Sequence, residues 1–206
     1  MDKLKTLWND LTARYTGDRN FTDTCWLEIE NAYTGKARHY HNLGHLEFMV
    51  GLALQHKSRL EDVEVVLFSI YYHDLVYKIT RRDNEEKSAA IAQERLTALG
   101  LPLPKVKACH NQILATKNHT ARSDQDTGYL IDFDLAILGE SPENYREYKR
   151  KIRREYALYP NFLYNKGRKK VLQHFLDMDS IFKTRDFKEK YEQQARRNMA
   201  DEMASL

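Results

Sequence analysis

The sequence predicts an all-α protein, and three observations support this prediction. Glycine (8) and proline (4) are scarce in a chain of 206 residues, so turns should be few and regular elements long. Apolar residues recur three and four positions apart, as they do along one face of a helix. Two Asp-x-x-Glu patterns, at residues 83–86 and 186–189, are typical of helix starts.

The predicted helices run, in chain order, over residues 4–15, 23–33, 41–56, 61–77, 83–99, 106–114, 132–138, 142–156 and 166–177, with a last one from 186. Apolar positions at Leu4, Trp8 and Leu11 mark the first, and Gly100 and Gly139 follow two later ones. The polar residues 119–127 predict a loop. We expect one domain over residues 1–206, with a motif-bearing core at about 38–140 and C-terminal helices 142–206 packed on it.

The segment 61–77 is apolar nearly all round. Its β-branched residues favour a strand, but its length and its acidic start at Glu61, Asp62 and Glu64 favour a buried central helix. His73 and Asp74 lie inside this segment. Left without partners in an apolar interior, they would cost several kcal/mol. A buried ion pair, a hydrogen-bond network or a metal ion would satisfy them.

Composition limits the partners and the compartment. The net charge of +3 is small and of mixed sign, so no specific nucleic-acid partner is expected, whereas an anionic substrate is compatible with it. Neither a signal peptide nor a transmembrane run is recognisable, and Cys25 and Cys109 form no disulfide or zinc pattern. We therefore expect a cytoplasmic protein with no membrane partner. Met199 and Met203 on the last helix suit an intramolecular contact or a homodimer equally.

Histidine spacing indicates a metal site. His41 and His45 are four positions apart, which places them on one face of the expected third helix. The adjacent His73-Asp74 adds one imidazole and one carboxylate. Nitrogen and oxygen ligands in this mixture suit a catalytic divalent metal ion.

The order of these residues resembles the HD superfamily of metal-dependent phosphohydrolases. That family has a histidine, a later His-Asp pair and a final aspartate on an all-α scaffold. The resemblance covers residues 38–140 and extends to a bacterial branch of predicted HD phosphohydrolases. It implies that His45, His73, Asp74 and Asp134 hold a divalent metal ion (Mn, Mg, Co, Ni, Fe or Zn), with Asp132 as the alternative last ligand.

Tyr40 to His45 also resembles the motif of cyclic-nucleotide phosphodiesterases, a branch of the same superfamily. That resemblance makes His45 a ligand and His41 the general acid. Cyclic nucleotides themselves are not implied, because no glutamine-bearing nucleotide pocket is recognisable.

Glu85 or Glu86 is a candidate for orienting a metal-bound water or a ligand histidine, although Glu86 is also the capping-box residue. Asp74 is the natural group to hold the attacking water or to bridge to a second metal. His119 is a candidate for a second metal, and the nearby Lys117 for contact with phosphate.

The resemblance therefore implies hydrolysis of a phosphate ester in a small phosphorylated substrate, such as a nucleotide. Two alternatives use the same residues differently. One is a non-catalytic regulatory domain that binds a nucleotide or a metal. The other is a di-iron oxygenase of the HD fold, which ligation by both His110 and His119 would favour.

Overall fold

The computed structural model describes residues 2–120 and 124–206, and within them every regular element is helical. This confirms the all-α prediction. The α-helices are α1 (Asp2–Thr12), α2 (Arg19–Tyr33), α3 (Leu43–Gln55), α4 (Val63–Tyr72), α5 (Asn84–Ala98), α6 (Leu103–Thr116), α7 (Gln125–Leu135), α8 (Pro142–Glu155), α9 (Asn161–Leu176) and α10 (Arg185–Ser205). Two short 3₁₀ helices span Lys57–Arg59 and Ala136–Gly139. None of these helices has the length and apolarity needed to cross a bilayer.

The chain divides into two compact units, Met1–Leu130 and Ile131–Leu206. The first contains the predicted histidines of the metal site, and the second contains Asp132 and Asp134. The expectation of one domain over the whole chain stays a prediction.

Helix α4 forms the centre of the first unit and packs against α3, α5 and α6. Its start is fixed by Asp62, whose carboxylate accepts hydrogen bonds from the backbone N–H groups of Glu64 and Val65. Every residue from Val65 to Tyr72 is buried, so the predicted buried central helix is confirmed. Trp8 of α1 packs edge-on against Phe68, with ring centroids 5.9 Å apart.

Two predicted helix boundaries are wrong in a way that affects the site. Helix α4 ends at Tyr72 rather than near residue 77, so His73 is its C-cap and Asp74 lies in the following turn. Helix α3 begins at Leu43, so His41 lies before the helix and not on one of its faces. The cause is local: the side chain of Asn42 accepts from the backbone N–H of Gly44 and caps the helix there.

Neither predicted capping box forms. Asp83 makes no side-chain cap and instead pairs with Arg81 and Lys87. Glu189 pairs with Arg185 at the start of α10. For the first box, cations two and four residues away compete for the Asp83 carboxylate. For the second, α10 starts at Arg185 with Thr184 as its N-cap, so Asp186 lies inside the first turn and not at the cap position. Part of the predicted loop 119–127 is helical, because α7 begins at Gln125; residues 121–123 of that loop lie outside the described residues.

In the second unit, α10 packs against α9 and against the 3₁₀ helix that ends at Gly139. A Cβ atom on Gly139 would lie 2.5 Å from Cβ of Tyr191, so only glycine allows this approach. Asp132 is buried and joins the end of α7 to the start of α10. Its carboxylate accepts hydrogen bonds from the N–H groups of Lys183 and Thr184 and from the Thr184 hydroxyl.

Candidate metal centre

The residues before α3 bring one half of the site together. The Asn42 side chain caps α3 and also donates a 3.0 Å hydrogen bond to the carbonyl of His39. This fixes the loop that carries His41 and sets the first turn of α3, in which His45 is buried. A residue that both caps a helix and holds the preceding loop leaves His41 and His45 little freedom relative to each other.

The turn after α4 carries the other half. The N–H of His73 still bonds to the carbonyl of Ser69, as in a helix. Beyond it, side chains replace the helical partners: Asp74 N–H donates to the Tyr33 hydroxyl at 3.1 Å, and Val76 N–H donates to Ser88 Oγ at 3.0 Å. Buried backbone groups need such partners, so the turn is held by α2 and α5.

Arg38 joins the two halves. Its guanidinium donates to the carbonyls of Asp74 at 2.7 Å, Leu75 at 2.8 Å and His41 at 3.3 Å. It also lies over the ring of Tyr77, 5.4 Å from the centroid. Because the planar guanidinium donates in fixed directions, these contacts set the spacing between the loop and the turn.

Three side chains meet where the halves join. His45 Nε2 lies 3.3 Å from His73 Nε2, and His73 Nε2 lies 3.5 Å from Asp74 Oδ2. One ligand atom from each of the three residues lies within 4.8 Å of the other two. No other group of three or more metal-ligating side chains occurs within residues 2–120 and 124–206. His73 is 1% exposed, whereas Asp74 is partly exposed.

The protonation of His73 follows from its contacts. Its Nδ1 lies 2.8 Å from the carbonyl oxygen of Ile70. A carbonyl can only accept, so Nδ1 carries the proton, and in the neutral ring Nε2 has a lone pair. That lone pair lies 3.3 Å from His45 Nε2 and 3.5 Å from the Asp74 carboxylate, which is also an acceptor. Neighbouring acceptors repel unless positive charge or a shared proton lies between them, so the arrangement suits either a proton on His45 Nε2 or a cation among the three groups.

The distances also suit a cation. Metal–nitrogen bonds of ~2.0–2.1 Å place two neighbouring ligand nitrogens roughly 3.0–3.4 Å apart. The nitrogen separation in the site, 3.3 Å, lies in this range. A ligand histidine that donates its other N–H to a backbone carbonyl is a common arrangement in metal sites, and His73 has it. His45, His73 and Asp74 are therefore a suitable partial ligand set.

His41 lies beside this set rather than within it. Its Nε2 is 3.9 Å from Asp74 Oδ2. The ring of Tyr77 covers it, with centroids 4.3 Å apart, and the ring of Tyr40 meets its edge at 5.0 Å. His41 is therefore held next to the carboxylate and remains partly exposed to the exterior.

Glu85 and Lys117 approach the site from α5 and α6. Burial raises the pKa of Glu85, a backbone hydrogen bond opposes the rise, and the charge of Asp74 adds to it. Lys117 Nζ donates to the carbonyl of Arg82 and pairs with Glu86. Lys117 thus has one partner on α5 and one in the turn before it, and Glu86 has this ion pair in place of the predicted capping role.

The remaining predicted site residues have different settings. Burial raises the pKa of Asp132 to about 6, against the hydrogen bonds from Thr184 and Lys183. Both carboxylate oxygens of Asp132 accept hydrogen bonds from backbone N–H groups that precede α10, so this side chain stabilises the fold there.

Asp134 as last ligand stays a prediction. His119 follows the end of α6 with φ of 51°, a left-handed conformation common after helices, and its role as a ligand also stays a prediction.

Sequence reasoning missed the residues that hold the site in place. Arg38, Tyr33 and Ser88 act on backbone groups of the turn at residues 74–76. Arg38 lies three residues before His41, and both Arg38 and Ser88 lie within the range of the family resemblance, residues 38–140, but the resemblance gave them no role. Tyr33 lies outside that range and carries no pattern that predicts its contact.

The chain was also compared with known proteins. No family model, no curated protein and no solved structure matches it.

Proposed function

We propose that this protein is a metal-dependent phosphohydrolase that cleaves a phosphate ester in a small phosphorylated metabolite, for example a nucleotide. The observation that carries the proposal is the cluster of His45, His73 and Asp74, with a further histidine, His41, beside its carboxylate. The motif order along the chain agrees with it. Within this proposal Asp134 is the last ligand, and the protein is cytoplasmic.

A divalent metal ion held by this cluster would polarise the phosphoryl group and lower the pKa of a nearby water. The protein's own contribution is to position its ligands. His73 is oriented by the Ile70 carbonyl, and the Asp74 backbone is held by Arg38 and Tyr33. Rigid support of this kind keeps the ligands in one geometry through the reaction.

We assign to His41 the role of the general acid that protonates the leaving oxygen. It is next to the cluster, is partly exposed, and is held between Tyr40 and Tyr77. An imidazole in such a place can donate a proton as the P–O bond breaks, which typically contributes about 10²–10⁴-fold in rate. Glu85 lies close enough to Asp74 for the Asp74 charge to raise its pKa, and it is the candidate for orienting the water.

The test is hydrolysis by the full-length protein loaded separately with Mn, Co, Ni, Mg, Zn or Fe(II), on a panel of nucleotide and sugar phosphates. The proposal predicts turnover that requires metal and is lost in His73→Ala. A matched control is His56→Ala, a histidine of the first unit whose Nδ1 bonds to the Leu52 carbonyl. Tight nucleotide binding without turnover would instead support the regulatory alternative. Iron bound with a redox-dependent spectrum would support the oxygenase alternative.

A further inference from the structure

The corner between α8 and α9 exposes three large apolar side chains within six residues. Leu158 is 73% exposed, Phe162 is 71% exposed and Leu163 is 47% exposed. Isolated exposed apolar residues are normal, but a contiguous group of this kind marks a contact surface. Nothing in the proposed hydrolysis uses this corner.

The corner is a built structure. Arg153 donates from Nη1 to the carbonyl of Tyr156 at 2.9 Å, and from Nη2 to the carbonyl of Tyr159 at 3.1 Å and to Asn161 Oδ1 at 2.7 Å. Its guanidinium also lies 4.6 Å from the centre of the Tyr164 ring. These contacts fix the backbone on both sides of Leu158, so the apolar side chains are held outward.

Positive charge surrounds the corner. Residues 149–170 contain nine Lys or Arg and one Glu, a net charge of +8, whereas the whole chain is +3. The rest of the chain is therefore net negative, at −5. Four of these cations are exposed and form no ion pair within the described chain: Arg154, Lys166, Lys169 and Lys170.

The outer face of α9 orders these groups along the helix. Phe162, Lys166, Lys169 and Lys170 follow the spacing of one helix face, and all are exposed. The opposite face, with Tyr164, Leu172 and Phe175, is buried. The outer face therefore presents apolar side chains at its start and cations along its next two turns.

We propose that this corner docks onto an anionic phospholipid surface, with Leu158, Phe162 and Leu163 entering the boundary between headgroups and acyl chains. Basic residues beside exposed Leu and Phe are the combination that interfacial binding requires, because the cations attract anionic headgroups and the apolar groups leave water. Nucleic acid would satisfy the cations but would give the two exposed leucines no gain, so a lipid surface is favoured. The expectation of no membrane partner rests on the lack of a spanning segment, and surface docking needs none.

The test is sedimentation of the full-length protein with phosphatidylcholine vesicles, with and without phosphatidylglycerol. The proposal predicts binding to the anionic vesicles that is at least about tenfold stronger than to the neutral ones and weakens with salt. The double variant Leu158→Ser/Phe162→Ser should bind about tenfold or more weakly, and Lys169→Glu/Lys170→Glu should as well. Because all four side chains are exposed, both variants should keep the wild-type circular dichroism and melting temperature.

Matched controls come from the first unit: Leu103→Ser removes another exposed leucine, and Lys57→Glu/Lys107→Glu reverses two other exposed lysines. Both should bind the vesicles as the wild type does. Equal binding to neutral and anionic vesicles, or none to either, overturns the proposal. So does a Leu158→Ser/Phe162→Ser protein with undiminished vesicle binding. If the Leu158→Ser/Phe162→Ser protein keeps its vesicle binding and the wild type also binds a single-stranded RNA oligonucleotide tightly, the corner would be assigned to nucleic acid.

Discussion

The Nε2 atoms of His45 and His73 lie 3.3 Å apart. The proton of the neutral His73 ring is on Nδ1, because Nδ1 donates to the Ile70 carbonyl. This relationship joins a residue in the first turn of α3 to the residue that closes α4. It leaves the lone pair of His73 Nε2 beside His45 and Asp74, where a cation would be stabilised.

The two histidines of the Tyr40–His45 motif should separate into different roles. His45→Ala removes a ligand, so metal affinity should fall by about 100-fold or more. His41→Ala should keep the metal and lower kcat by about 10²–10⁴-fold. Metal titration and steady-state kinetics on the same preparations check both. Equal loss of metal in His45→Ala and His41→Ala would contradict this separation of roles. His39→Ala, which removes a neighbouring imidazole, is the control.

Arg38 should act as a positioning residue. Arg38→Lys keeps the charge but cannot make all three carbonyl contacts, so the turn at Asp74 should loosen and metal affinity should fall by about 10–100-fold. Calorimetric metal titration measures this. Arg81→Lys is the matched control and should leave metal affinity unchanged, because this exposed arginine has Asp83 as its one ion-pair partner within the described part of the chain. Wild-type affinity in Arg38→Lys would show that the contacts do not organise the site.

Asp132 and Asp134 should respond differently to substitution. Asp132→Ala leaves three partly buried hydrogen-bond donors without their acceptor, so the free energy of unfolding should fall by about 2 kcal/mol or more. Asp134→Ala should lower metal affinity with a smaller effect on stability. Urea unfolding and metal titration of both variants check this. The reverse pattern would make Asp132 the last ligand and contradict the assignment of Asp134.

Stability should depend on pH through Glu64. Burial opposes ionisation of this carboxyl, but hydrogen bonds from Lys105, Tyr15 and Arg14 outweigh it and lower its pKa from 4.5 to about 2. Between these values the unfolded chain binds more protons than the native one, so stability rises with pH and is lost as pH falls from 4.5 towards 2. Above pH 4.5 this contribution is fully present.

Urea unfolding of the wild type and Glu64→Gln across this range isolates the effect. The difference in unfolding free energy should be largest above pH 4.5 and should shrink towards pH 2. Asp201→Asn changes an exposed carboxyl at the end of α10 and should show no such trend. A difference between wild type and Glu64→Gln that is constant with pH would contradict this account of Glu64 and its three hydrogen-bond donors.

The sequence was sufficient for the fold class, and three of the four ligands implied by the family resemblance lie together in the structure, but nothing in the sequence showed how they are held. The fourth, Asp134, stays a prediction. Uninterrupted apolar residues around α4 predict burial, yet they give no signal of where the helix ends, because Leu75 and Val76 are apolar too. The end depends on tertiary partners of the turn, such as the Tyr33 hydroxyl and Ser88. Such contacts leave no local pattern. The first capping box failed because Arg81 and Lys87 pair with Asp83, and the second failed because α10 starts one residue before Asp186.

The most direct test of the central claim is the metal content of the purified protein after dialysis against each divalent metal, measured by elemental analysis for the wild type and His73→Ala. The proposed metal centre predicts at least one equivalent of bound metal per wild-type chain and loss of that metal in the variant, with retained helical circular dichroism. A wild-type protein that binds no metal under any loading condition, or a His73→Ala protein that binds as much as the wild type, would contradict it.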